Sequence, residues 1–134
     1  MNRRREARRR AFDILYQADN SGRDALEILA ERDELGEGTP PFTTELVRGV
    51  RDHLGELDTL LGEHAEGWSV RRMASVDRTL LRLACYELLH RPDVPVAVAI
   101  DEAVAAAKEL STDESGSFVN GVLGTIAREH AGSR

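Results

Sequence analysis

Lysine is almost missing from this chain: Lys108 stands alone against 17 arginines. Cysteine is as rare, with Cys85 alone in an apolar segment. A single thiol excludes an internal disulfide and reads as a buried structural residue. Aromatic residues make up 4% of the chain, four prolines punctuate it, and the apolar runs stay far short of the roughly 18 residues that a membrane span needs. The basic start is not followed by a charge-free apolar stretch, so it does not read as a secretory signal. These absences predict a cytoplasmic protein with no membrane association. Catalytic signatures are missing too. There is no G-x-S-x-G, P-loop or G-x-G-x-x-G. His53, His64, His90 and His130 are scattered without an i, i+4 partner and read as solvated surface residues. Asp101-Glu102 and Asp113-Glu114 are adjacent pairs, which diverge on a helix and do not make an acid/base couple. The reading is of a protein that binds and does not catalyse, with no cofactor and no metal.

What the chain has is an uneven charge. Residues 1–10 carry six arginines and one glutamate, a formal +5, while the remaining 124 residues carry a formal −11. A compact positive end on a negative body attracts a polyanion in one orientation and repels it elsewhere. On a helix, Arg5, Arg8 and Arg9 share a face with Phe12, and Arg3, Arg4 and Arg10 spread round the rest. Like charges at i, i+4 fray a helix. Guanidinium groups give phosphate bidentate, permanently charged contacts. An arm that frays alone and orders on RNA joins both effects.

The apolar spacing is helical throughout, with no sustained alternation, so the fold class is all-α. Helix one is predicted from about Arg3 to Asp19, stopped by Asn20-Ser21-Gly22, and helix two from about Arg23 to Leu35. GEGTPPF breaks the chain. A long third helix, capped by Thr43 or Thr44, runs to about Gly67. Ser69 caps a short fourth helix and Ser75 a fifth. In Thr79–Leu89 eight of eleven residues are apolar, which marks the fifth helix as the centre of the core. Pro92 and Pro95 separate it from a sixth, whose inward positions are Val96, Ile100, Ala103, Val104, Ala107 and Leu110. In STDES, Ser115 or the acidic residues cap a seventh. Gly121 and Gly124 suit close packing against the Ala-rich sixth helix. The expectation is one domain of residues 1–134: about seven helices in two packed bundles, subgroups about 1–66 and 67–134. Of the aromatics Phe12, Tyr16, Phe42, Trp68, Tyr86 and Phe118, most are expected in the core. Phe118 is expected in the first turn of its helix, where it either packs inward or lies at the rim and stacks a base.

Three stretches carry a family likeness: RRREARRRAFDILYQ, VDRTLLRLACYELLHRPDVPVAVAIDEAVAAAKELS and FVNGVLG. In order and spacing they resemble the NusB family of transcription antitermination factors, and the resemblance covers almost the whole chain. It implies an all-helical fold of two small bundles. It implies binding of single-stranded boxA RNA together with NusE, a small-subunit ribosomal protein, in the RNA polymerase elongation complex with other Nus factors, chiefly on ribosomal RNA operons. By the match, Arg3, Arg4, Arg5, Arg8 and Arg9 fall in the RNA-binding segment. Ser117 and Phe118 fall at a second RNA-contacting edge, and Tyr16 and Asp77 match positions that face NusE. Some relatives carry a lysine where Ser117 stands, and so one phosphate contact more. Three other readings compete: a homodimeric protein-binding adaptor, an accessory domain related to ribosomal RNA methyltransferases, and a helix-turn-helix DNA regulator. The fifth helix is too apolar to serve the last as a recognition helix.

Overall fold

The computed structural model describes residues 3–131 and is helical throughout. Seven α-helices follow in order among the described residues: α1 (Arg3–Ser21), α2 (Ala25–Glu34), α3 (Pro41–Asp52), α4 (Leu54–His64), α5 (Ser75–His90), α6 (Val96–Leu110) and α7 (Asp113–Ile126). A single 3-10 turn, Val70–Arg72, precedes α5, and a π-helical turn, Ala127–Ala131, follows α7. No helix among them is long and apolar enough to cross a membrane.

Two compact units divide the chain, residues 1–52 and 53–134. In the first, α1 packs on α2 and α3. Ala7, Ala11, Phe12, Ile14 and Leu15 give α1 one apolar stripe, which is buried along with Ile28, Leu29, Leu46, Val47 and Val50. Thr43 is fully buried, and its hydroxyl donates to the Ala7 carbonyl at 2.8 Å. In the second unit α5 is the hub, in contact with α4, α6 and α7. Leu80, Leu81, Leu83, Ala84, Cys85, Tyr86 and Leu88 are buried, as expected for a helix wrapped on most sides. Burial, helped by the charges of Glu56 and Asp58, pushes the Cys85 thiol up to about 12, so it stays protonated.

Several local expectations are corrected. The long third helix is two helices, broken at His53, whose backbone (φ −111°, ψ 17°) leaves the helical path. The His53 ring lies 4.1 Å from the His90 ring and 5.8 Å from Tyr86, centroid to centroid. Gly49 and Gly55, poor helix formers at about 1 kcal/mol each against Ala, flank the break. Thr43 and Thr44 are not caps: Pro41 opens α3, and the Thr43 hydroxyl is spent on α1. The short fourth helix is only the 3-10 turn, and Ser69 makes no capping bond there. Ser75 lies inside α5, one residue past the cap position. Thr112, not Ser115 or an acidic residue, caps α7, its hydroxyl accepting from the Ser115 amide at 3.0 Å. On α6 the buried face is the small ridge Ala99, Ala103 and Ala107, whereas Val96, Ile100, Val104 and Leu110 are half-buried.

Candidate nucleic-acid interface

The arginine end is helical from Arg3 onward. Arginine is a good helix former, and the i, i+4 pair Glu6–Arg10, at 3.7 Å, offsets part of the like-charge repulsion. Arg3, Arg4 and Arg5 are exposed, whereas Arg8 and Arg9 are half-buried. Arg10 is turned to structural use, donating to the carbonyls of Glu37 (2.9 Å) and Gly38 (3.3 Å). The device that organises this end is Phe42. The guanidinium carbon of Arg4 lies 4.3 Å from the Phe42 ring centroid, and that of Arg8 lies 5.4 Å away. Both distances fall within cation–π range. A guanidinium held by its face keeps N–H groups at its edge for phosphate oxygens. Phe42 is one of six aromatics of which most are expected in the core. It is half-buried, and no periodicity announces it because it is the second residue of α3 after two prolines.

The second predicted edge lies on α7. Ser117 is exposed and Phe118 half-buried, in the second helical turn and not the first. Gly116 is the glycine that lies against α6: a Cβ there would come within 2.6 Å of the Lys108 side chain, which would have to shift. Gly121 and Gly124 do not pack on α6 as expected: a Cβ on Gly121 would meet nothing within 4 Å, and one on Gly124 would meet only Arg128 at 3.6 Å. Ser117, Phe118 and Gly121 border a surface hollow of about 540 Å³ whose other lining includes Glu63, His64, Glu66 and Glu129. Trp68, another of those aromatics, is exposed and meets the Phe118 ring edge-on at 6.0 Å.

The histidines are less scattered than the sequence suggests. The His64 side chain is buried; its Nδ1 donates to the Leu60 carbonyl at 2.8 Å and its Nε2 pairs with Glu129. The Leu60 carbonyl, with Glu129 adding to it, holds His64 above its ordinary value, and His64 in turn holds Glu129 below its own. His130 adds an edge-on ring contact to His64 at 5.1 Å. His64, Glu129 and His130 bring possible metal-ligand atoms within 4.8 Å of one another. The contacts that join them are the ion pairs of Glu129 with His64 and, at 3.9 Å, with His130, and the ring contact. The π-helical turn brings Glu129 and His130 to α4, and no sequence spacing reveals that. His90 pairs with Glu56 at 2.7 Å.

Of the two residues matched to partner-facing positions, Tyr16 is 37% exposed and stacks on Phe12 at 5.3 Å. Asp77, in the first turn of α5, is only 8% exposed, and its Oδ1 has no hydrogen-bond partner among the described residues.

Comparison with known proteins follows the same lines. A family model described as the NusB family matches residues 5–128. The chain is 54% identical over 132 residues to a transcription antitermination protein NusB from Saccharopolyspora erythraea, across 95% of this chain and 88% of that one. It is similar to the solved structure of T. maritima NusB, with a TM-score of 0.85 and 40% identity over 98% of this chain and 94% of that one. It is equally similar in fold to the crystal structure of antitermination factors NusB and NusE in complex with dsRNA, with a TM-score of 0.85 and 29% identity over 97% of this chain and 100% of that one.

Proposed function

The chain belongs to the NusB family, and from that premise we propose that it is a transcription antitermination factor. It binds boxA-type RNA together with NusE and works by positioning, without covalent chemistry. The observation that carries this reading is the arginine end of α1, with Arg4 and Arg8 laid on Phe42. Arg3, Arg4, Arg5, Arg8 and Arg9 neutralise phosphates; Ser117 and Phe118 supply the second RNA contact. The whole chain, residues 1–134, acts as one RNA-binding domain in the cytoplasm.

Tyr16 and Asp77 are the NusE contacts. The exposed Tyr16 ring offers apolar area with a hydroxyl at its tip. Among the described residues nothing pairs with the buried Asp77 Oδ1 to compensate its desolvation, so a donor from NusE that reaches it gains accordingly. The formal −11 of the remaining chain favours a basic ribosomal protein and discourages indiscriminate wrapping by RNA. Together the factor, NusE and RNA join the RNA polymerase elongation complex and sustain transcription of ribosomal RNA operons.

The test is fluorescence anisotropy of a labelled boxA-type RNA and a scrambled control, each with a double-stranded competitor. Wild type and an Arg4→Ala/Arg5→Ala/Arg8→Ala variant are titrated with and without NusE. Selective binding should strengthen with NusE and collapse in the variant. Coupling is reciprocal, so boxA RNA should tighten NusE by the same factor. Equal binding of both RNAs, indifferent to the variant and to NusE, would overturn the reading and favour a homodimeric protein adaptor. Light scattering with and without RNA follows that homodimer directly.

A further inference from the structure

Trp68 is the one tryptophan of the chain, and 51% of its surface is exposed. Indoles are highly buried on average, so an exposed one on an ordered backbone asks for a ligand. The backbone here is held in a hydrogen-bonded turn. Gly67 takes the left-handed conformation (φ +78°), and the Trp68 amide donates to the Ala65 carbonyl at 3.0 Å. The ring meets Phe118 edge-on, at 6.0 Å between centroids and 63° between planes. Trp68 and Phe118 therefore form a corner of two aromatic surfaces.

Charge decides what that corner accepts. Phe118 and Ser117 border the hollow that Glu63, Glu66 and Glu129 also line. His64 balances Glu129 through their ion pair, which leaves Glu63 and Glu66 to set a negative sign. A phosphate is repelled from such a lining. A flat, neutral ring system is not, and every nucleobase has a π-face that an indole can stack. We infer that Trp68, with Phe118, forms a base-stacking corner that takes an unpaired nucleobase of single-stranded RNA, with the phosphates kept outside the acid-lined hollow. The inference rests on the RNA-binding reading above and adds to it a residue and a chemical selectivity.

The single tryptophan makes the test direct. The full chain is titrated with the labelled boxA-type RNA while anisotropy and tryptophan emission are both followed. Saturable quenching of Trp68 with the same midpoint as the anisotropy change is expected. Inorganic polyphosphate, which carries the charge without bases, should leave the emission unchanged. Trp68→Ala should weaken RNA binding by about five- to 150-fold and leave the salt dependence as it is, since no phosphate contact is lost. Trp68→Tyr should recover most of the affinity, and it keeps the test valid should Trp68→Ala fail to fold by circular dichroism. RNA binding with unquenched emission and an unaffected Trp68→Ala variant would overturn this inference while leaving the RNA-binding reading intact, and quenching by polyphosphate would overturn it equally. Absence of RNA binding in the wild type would overturn both.

Discussion

Replacing Phe42 with leucine separates charge from the positioning of charge. Leucine keeps apolar bulk at a half-buried site, so the fold should lose no more than about 1.5 kcal/mol. It removes the ring face on which Arg4 and Arg8 lie at 4.3 and 5.4 Å. An exposed cation–π contact is worth about 0.5 kcal/mol; both contacts exist before RNA binds, so they act on affinity only by pre-positioning the two guanidiniums, by at most about 1 kcal/mol or roughly fivefold. The ring also limits two side chains that each carry about 2 kcal/mol of rotamer entropy. The charge is untouched. Five arginines on five phosphates of a single strand set a log–log salt slope no steeper than about −3.5, since each phosphate contributes about −0.7. Phe42→Leu should therefore shift the salt plot to weaker binding by a little under one decade, parallel to the wild-type line. Arg4→Ala should shift it and flatten it by one phosphate's share. The assay is anisotropy of the boxA-type RNA over a salt series, with melting curves as the control. A Phe42→Leu line as flat as that of Arg4→Ala, or tighter binding in the variant, would refute the reasoning; the latter would mean that the ring withholds the guanidiniums from RNA.

Gly121→Ala should raise stability by up to about 1 kcal/mol, since a Cβ there meets nothing and alanine favours a helix, as a melting curve checks. Leu81→Ala, at a fully buried site on α5, should cost about 2–5 kcal/mol in denaturant unfolding. His64 is raised in the folded chain, so its contribution to stability is fully present below its ordinary 6.5 and is lost as pH rises through the raised value. Glu129 is lowered, so its share is present above 4.5 and is lost as pH falls through its folded value. Melts of the wild type should therefore lose stability relative to a His64→Gln variant as pH rises from 6.5 through the raised value, and parallel profiles would sink the assignment. Cys85 should resist thiol reagents at neutral pH until the chain is denatured, because a thiol pushed up to about 12 holds almost no thiolate.

The core was legible because apolar spacing is a direct readout of burial. Eight apolar residues in Thr79–Leu89 announced α5 as the hub, and Ala11, Phe12 and Leu15 announced the inner face of α1. Points where tertiary contact overrides local preference were not legible. Nothing in the spacing of Leu46 to Leu61 marks the break at His53, since both sides keep the same period, and the ring contacts of His53 to His90 and Tyr86 are long-range. Thr43 reads as a cap by residue type, yet its hydroxyl serves a carbonyl 36 positions away. The candidate site divides the same way. The arginines are visible as composition. Phe42 beneath them, Trp68 beside Phe118 and Glu129 against His64 depend on packing across helices, and a single sequence carries no signal for it.

The first compact unit is contiguous in sequence, residues 1–52, and the second begins at residue 53. That division sets an order of events during synthesis. The arginine-bearing helix and the two helices that pack on it are synthesised before any of the second unit is made. At ordinary rates of elongation the remaining residues take on the order of ten seconds to follow. Every contact within the first unit, the Thr43 bond to α1 included, lies inside that early stretch. The part of the chain with the highest positive charge density is also balanced within its own unit, since residues 1–52 carry ten arginines against eleven acidic side chains and need none of the second unit's acid.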